Sequence, residues 1–157
     1  MRSGDLAGAI GRGLVAGAVG TAAITVSTMV ANKLRGQEES LTPVKAVEKL
    51  GDLEPQDERA ERRMSNAVHW LYGAALGVPR GILGALGMPR VASDAVHLGM
   101  VWGGELTMLP KLDLAPPPSR WGPAEIALDG WHHLVYSAAT GAACSFLERR
   151  SAAASAA

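Results

Sequence analysis

Charged positions set the pattern of this chain more clearly than apolar ones. From Gly13 to Asn32 run twenty residues without a charge, GLVAGAVGTAAITVSTMVAN, and from Gly130 to Leu147 another eighteen when the histidines are neutral. At about 1.5 Å per helical residue, twenty residues cross a hydrocarbon core of about 30 Å. Two interrupted apolar stretches lie between them: Met64–Met88, broken by Pro79 and Arg80, and Ala95–Pro110, broken by Glu105. The pattern predicts an all-α, integral-membrane four-helix bundle. It forms one domain over residues 1–150, with spans at about 8–32, 60–87, 92–110 and 122–148.

Between the first two spans lies a polar connector, residues 33–59. Thr42 before Pro43 reads as an N-cap with proline at the first helical position. Val44, Val47 and Leu50 share a face and Gly51 ends the turn, so a short amphipathic connector helix is expected here. Glu54-Pro55 reads as a second start, opening a helix that continues through Glu58 and Arg62 into the second span. Pro116-Pro117-Pro118 is an extended elbow before the last span. The low-complexity tail 151–157 is expected to be disordered. Small residues recur four apart in every span: Gly13/Gly17, Gly73/Gly77, Gly99/Gly103 and Ser137/Gly141. In lipid such pairs let helices approach closely.

The rival architecture is a soluble four-helix bundle with two very apolar helices, because mean hydropathy is only +0.11. Charge is concentrated between Lys33 and Arg63 and at the span ends, which an average conceals, so span length decides for the membrane. A signal-peptide reading of Leu14–Val26 fits poorly. A cut after Ala31 would place Met29 where a small residue belongs. The first span is therefore expected to be retained.

Composition narrows the function. Fifteen basic residues balance fifteen acidic ones, which gives no field for nucleic acid. Cys144 is the only cysteine, which excludes a disulfide scaffold. Aromatics are 4% against 48% hydrophobic residues; the remainder is mostly Ala, Leu and Val, beside 19 Gly. That apolar content excludes long disorder. Basic residues lean towards a cytoplasmic connector, nine on the connector side against six on the other.

Candidate chemistry comes from polar groups inside the spans. His69-Trp-Leu-Tyr72-Gly-Ala-Ala-Leu-Gly77 echoes His133-Leu-Val-Tyr136-Ser-Ala-Ala-Thr-Gly141 at an offset of 64 residues. Read as a duplication, the echo places His69 with Tyr72 and His133 with Tyr136 equivalently around one polar centre, with His132 pointing elsewhere. Every histidine has an oxygen-bearing neighbour one turn earlier: Asn66 for His69, Asp94 for His97, Asp129 for His132 and His133. Such a neighbour fixes the imidazole tautomer. A charge in hydrocarbon costs at least about 2.5–3.5 kcal/mol. Glu105, Asp129 and Arg80 are therefore expected to face the interior, with Glu105 near a histidine or Arg80. Asp94, near a span end, is expected to reach for water.

The buried polar site is thus His69, Tyr72, His97, Glu105, Asp129, His133, Tyr136, Arg80 and Asn66. Catalytic motifs are missing: there is no G-x-S-x-G, C-x-x-C or H-E-x-x-H. No catalytic residue is assigned. For a metal, His97, Glu105 and His133 are the candidates. No cofactor is predicted, and haem or a transition metal remains an alternative.

The run Leu114-Ala-Pro-Pro-Pro-Ser-Arg-Trp121, then Glu125, then Trp131-His-His133-Leu-Val-Tyr136, resembles the YagU-like family of small bacterial inner-membrane proteins. The Asn66–His69 and Ala95–His97 stretches are compatible with that family, so the resemblance covers roughly residues 64–148. The segment 36–63 departs from it. The resemblance implies a multi-pass inner-membrane protein and supplies no reaction.

The expectation is a small membrane protein whose buried His/Asp/Glu/Tyr site moves protons or a small solute. Two alternatives stand beside it: a structural or accessory subunit of a membrane complex, and a metal- or haem-binding redox subunit. Expected partners are the lipid bilayer and either further copies of the chain or a membrane partner protein, with no nucleic acid.

Overall fold

The computed structural model of the chain describes residues 3–36 and 57–155. The expected connector helix at Thr42–Gly51 and the start at Glu54-Pro55 lie outside the described residues. Among the described residues every regular element is helical. These are α1 (Ser3–Arg35), α2 (Glu58–Leu76), α3 (Val78–Ala85), α4 (Arg90–Lys111) and α5 (Pro123–Ser155). The four expected spans fall within α1, the α2–α3 pair, α4 and α5.

Local chemistry explains the boundaries. Asp57 caps α2, its carboxylate accepting from the Ala60 N–H at 2.6 Å. Pro79 has no N–H to donate back to the preceding turn, so the helix breaks at Gly77. Gly77 keeps right-handed dihedrals (φ −74°, ψ −19°), and α2 and α3 form one interrupted rod. Gly87, at φ +80°, ends α3 in the left-handed conformation glycine adopts freely. Pro117 is extended and leads into a short 3-10 turn, Pro118–Arg120. The Trp121 indole ties the elbow down by donating to the Pro116 carbonyl at 2.8 Å. The tail differs from expectation. Helix α5 runs on to Ser155, because alanine, the best helix former, fills positions 152–154.

Helix α1 is central, lying along α5, α2 and α3, while α4 packs on α5 and α3. The α1 contact is made by backbone. A Cβ on Gly13 would lie 2.7 Å from the Gly77 carbonyl oxygen, and one on Gly81 would strike the Ala9 carbonyl. Gly13/Gly17 and Gly73/Gly77 thus form one interface. Gly99 and Gly103 do not match the expectation: a Cβ on either meets nothing within 4 Å, because that face of α4 points away from α5.

Polar residues outnumber apolar ones among the buried side chains. Among the described residues the buried polar or charged set is Thr21, Ser65, Arg80, Ser93, His97, His133, Ser137, Thr140 and Ser145. The buried apolar set is only Ala9, Ala16, Val101, Tyr136 and Cys144. Large apolar side chains face outward on every long helix: Val15 and Val26 on α1, Leu71 on α2, Met100 on α4, Leu134 and Phe146 on α5. One helix among the described residues is long and apolar enough to cross a bilayer, α1 over Gly4–Arg35. The other three expected spans fall short of that test, because His, Ser, Thr and charged residues stand within them.

Candidate functional site

The polar interior is organised by α5. Asp129, His133, Tyr136, Ser137, Thr140, Ser145 and Glu148 recur at helical spacing and form one seam. From Asp129 to Glu148 the seam is about 29 Å long at 1.5 Å per residue.

At one end, α4 brings Glu105 against α5. His133 Nδ1 lies 2.9 Å from the Asp129 carbonyl oxygen and Nε2 lies 2.5 Å from Glu105 Oε2. A carbonyl only accepts, so Nδ1 carries a hydrogen. With Nδ1 carrying its hydrogen, the Nε2–Oε2 contact is a hydrogen bond when one further proton sits on either the imidazole or the carboxylate. The Asp129 carboxylate is fixed by the Trp102 indole, which donates to Oδ2 at 2.7 Å. Gly130 makes room for that indole, since a Cβ there would lie 3.0 Å from Trp102 Cζ2. His133 is buried, while Glu105 and Asp129 are a third and a quarter exposed, so the cluster opens to the outside.

In the middle, His97 is fully buried on α4. Its Nε2–H donates to the Leu76 carbonyl at 2.9 Å, an acceptor at the end of α2. Its Nδ1 has no hydrogen-bond partner, and neither has Ser137 Oγ. The rings of His97 and Tyr136 lie 5.7 Å apart. The break at Gly77 also serves Tyr136. Gly77 N–H turns back to the Ala74 carbonyl, and the Gly73 carbonyl accepts the Tyr136 hydroxyl at 2.7 Å.

At the other end, Arg80 is only 1% exposed. Its Nε donates to Asp94 Oδ1 at 2.6 Å, Nη1 stands 3.8 Å from Glu148 Oε1, and Nη2 reaches Ser145 Oγ at 3.4 Å. Asp94 keeps partial access to the outside, with its side chain 28% exposed, and is held at the same time by the Arg80 guanidinium. Gly84 and Gly141 lie against Glu148 and Asp94, where a Cβ would collide with each carboxylate. Glycine in this bundle clears space for charges as well as for helices.

Several sequence expectations change. Asn66 is exposed and joins no site, because its face of α2 turns outward. Tyr72 is 47% exposed while Tyr136 is 3% exposed, so the two His–Tyr pairs are not equivalent. His69 Nε2 lies 3.0 Å from Thr25 Oγ1 on α1, away from the Glu105–His133 pair. That hydroxyl donates to the Thr21 carbonyl at 2.7 Å, so His69 is the donor to it. The echo does not build a common centre, because α2 packs its histidine on α1 and α5 packs His133 on α4. His132 points elsewhere, to Ser27 Oγ at 2.8 Å. Of the metal candidates, Glu105 and His133 meet and His97 does not join them; its place is taken by Asp129. The sequence reading missed Trp102, Ser145 and Glu148. The i, i+4 recurrence of polar residues on α5 was the signal that would have found the last two.

Compared with family models, curated proteins and solved structures, the chain finds no match.

Proposed function

We propose that the chain is a small multi-pass membrane protein that conducts protons along the polar seam of α5. One observation carries this reading: polar and ionisable side chains are buried inside, while large apolar side chains stand exposed on every long helix, beyond the charged first turns of α2. Water would favour the reverse arrangement, and lipid favours this one. Charge position supports it. Arg12 and Lys33 bracket α1, Arg90 and Lys111 close the ends of α4, and Asp129 and Arg149 bracket the middle of α5. Each bracket encloses about 30 Å of helix, the thickness of a hydrocarbon core. The exposed Trp70 and Trp131 stand beside His69 and His132, the place of an interfacial aromatic belt. On this reading the Glu105–His133 pair sits at the headgroup level. Helices α2, α4 and α5 lack the hydropathy of α1 because α2 opens with exposed charges and the inward seams of α4 and α5 carry polar residues. The resemblance to YagU-like inner-membrane proteins is in keeping with this location.

The proton on the Glu105–His133 contact is the one to move. His97 Nδ1 and Ser137 Oγ offer unpaired atoms in mid-seam, and Asp94 and Glu148 lie at the far end. In proteoliposomes carrying a pH-sensitive dye and an imposed potential, wild-type protein is expected to pass protons. Glu105→Gln, which cannot exchange a proton with His133, is expected to lower that flux at least about tenfold, within the range of a lost acid–base group. The exposed variant Thr107→Val is expected to match wild type. Flux no greater than in empty vesicles would overturn conduction and leave the polar interior as a structural lock.

A further inference from the structure

We propose that Glu105, Asp129 and His133 also form a binding site for one divalent first-row transition-metal ion, with Zn²⁺ and Co²⁺ the best fit. The inference rests on the same cluster being the functional centre, and its test is read without any flux. Each of the three residues offers one ligand atom, and these atoms lie within 4.8 Å of one another. Ligands around a tetrahedral ion bound at about 2.0–2.1 Å stand roughly 3.3 Å apart, so the Nε2–Oε2 pair, now at 2.5 Å, must open by about 0.8 Å and the widest pair close by about 1.5 Å at most. Glu105, a third exposed, supplies most of that movement, while Asp129 stays on the Trp102 indole and His133 on the Asp129 carbonyl.

What surrounds the three residues matches the outer shell of a metal site. His133 Nδ1–H is engaged by the Asp129 carbonyl, which leaves Nε2 as the nitrogen able to ligate. Backbone anchoring of the second ring nitrogen is how ligating histidines are oriented. The Trp102 indole holds Asp129 Oδ2 at 2.7 Å and orients that carboxylate. Two carboxylates and a neutral imidazole carry two negative charges, which a divalent ion balances. One nitrogen and two carboxylate oxygens suit a borderline ion better than Cu⁺, which prefers thiolates, or Mg²⁺, which prefers oxygen alone. Three protein ligands leave a fourth position for water or a passing solute.

The test uses the full chain in detergent, purified without a polyhistidine tag and stripped with chelator, then titrated with Co²⁺. Visible absorption is expected to saturate at one equivalent and to disappear on adding Zn²⁺. Paramagnetic shifts of the His133 ring protons are expected in wild type, which identifies the ligand without any variant. Glu105→Gln, Asp129→Asn and His133→Gln are each expected to weaken binding at least about tenfold, and Trp102→Phe, which keeps all ligands, about tenfold. The exposed variant Glu58→Gln is expected to bind as wild type. Absence of saturable absorption, or unshifted His133 protons at saturation, would overturn the metal site. Failure of this test with Glu105-dependent proton flux intact in chelator removes the metal and leaves conduction standing.

Discussion

Arg80→Ala is expected to lower unfolding free energy by about 3 kcal/mol or more, towards the 3–5 kcal/mol range for breaking a buried ion pair. The guanidinium is 1% exposed and serves Asp94, Glu148 and Ser145 at once. Truncation leaves two carboxylates facing each other across the α4–α5 contact. Arg90 reaches only one of them, at 3.6 Å from Asp94 Oδ2. Both carboxylates keep partial access to the outside, 28% and 32%, which places the expected loss near the lower end of the range. Thermal unfolding in detergent measures it. The triple variant Arg80→Met, Asp94→Asn, Glu148→Gln removes the charges together and is expected to recover most of the loss. A single variant as stable as wild type would show that Arg80 is not committed to this network.

Gly77→Ala is expected to cost about 1–3 kcal/mol, despite alanine's better helix propensity. A Cβ there meets the Gly13 carbonyl, and it lies 2.6 Å from Gly17 Cα and N. Those atoms are backbone, so relief requires α1 and the α2–α3 rod to separate. Gly103→Ala is the matched control: its Cβ enters open space, and the propensity gain of up to about 1 kcal/mol is expected to appear as added stability. Equal effects at 77 and 103 would contradict the close approach of α1 to that rod.

The helices were legible because charge spacing and proline mark their ends, and both are local signals. Glu105 meeting a histidine was legible too, because a carboxylate in an apolar helix has few places to go. Which histidine it meets was not. His69 and His133 sit in nearly the same local sequence, yet α2 packs on α1 and α5 packs on α4, and only that arrangement separates Thr25 from Glu105 as partners. The same limit applies to glycine. Gly13 and Gly99 each start a small-residue pair, but the first faces Gly77 and the second faces no neighbouring helix. Trp102 escaped notice for a similar reason: its partner Asp129 is distant in sequence and comes within reach only once α4 and α5 pack.

The central claim is that α1, α2, α4 and α5 all present apolar faces to lipid around a polar interior. It is tested most directly by nitroxide labels on single cysteines at Val19, Ala75, Met100 and Ala138, one per helix, each exposed and away from the bracketing charges. The background is Cys144→Ala, which removes the native cysteine, itself buried. After reconstitution into vesicles, collisions with oxygen, which concentrates in lipid, are compared with collisions with a water-soluble nickel chelate. Oxygen is expected to dominate at all four positions. Dominance of the nickel chelate at 75, 100 and 138 would place α2, α4 and α5 in water, leave α1 as the one spanning helix, and contradict the multi-pass bundle.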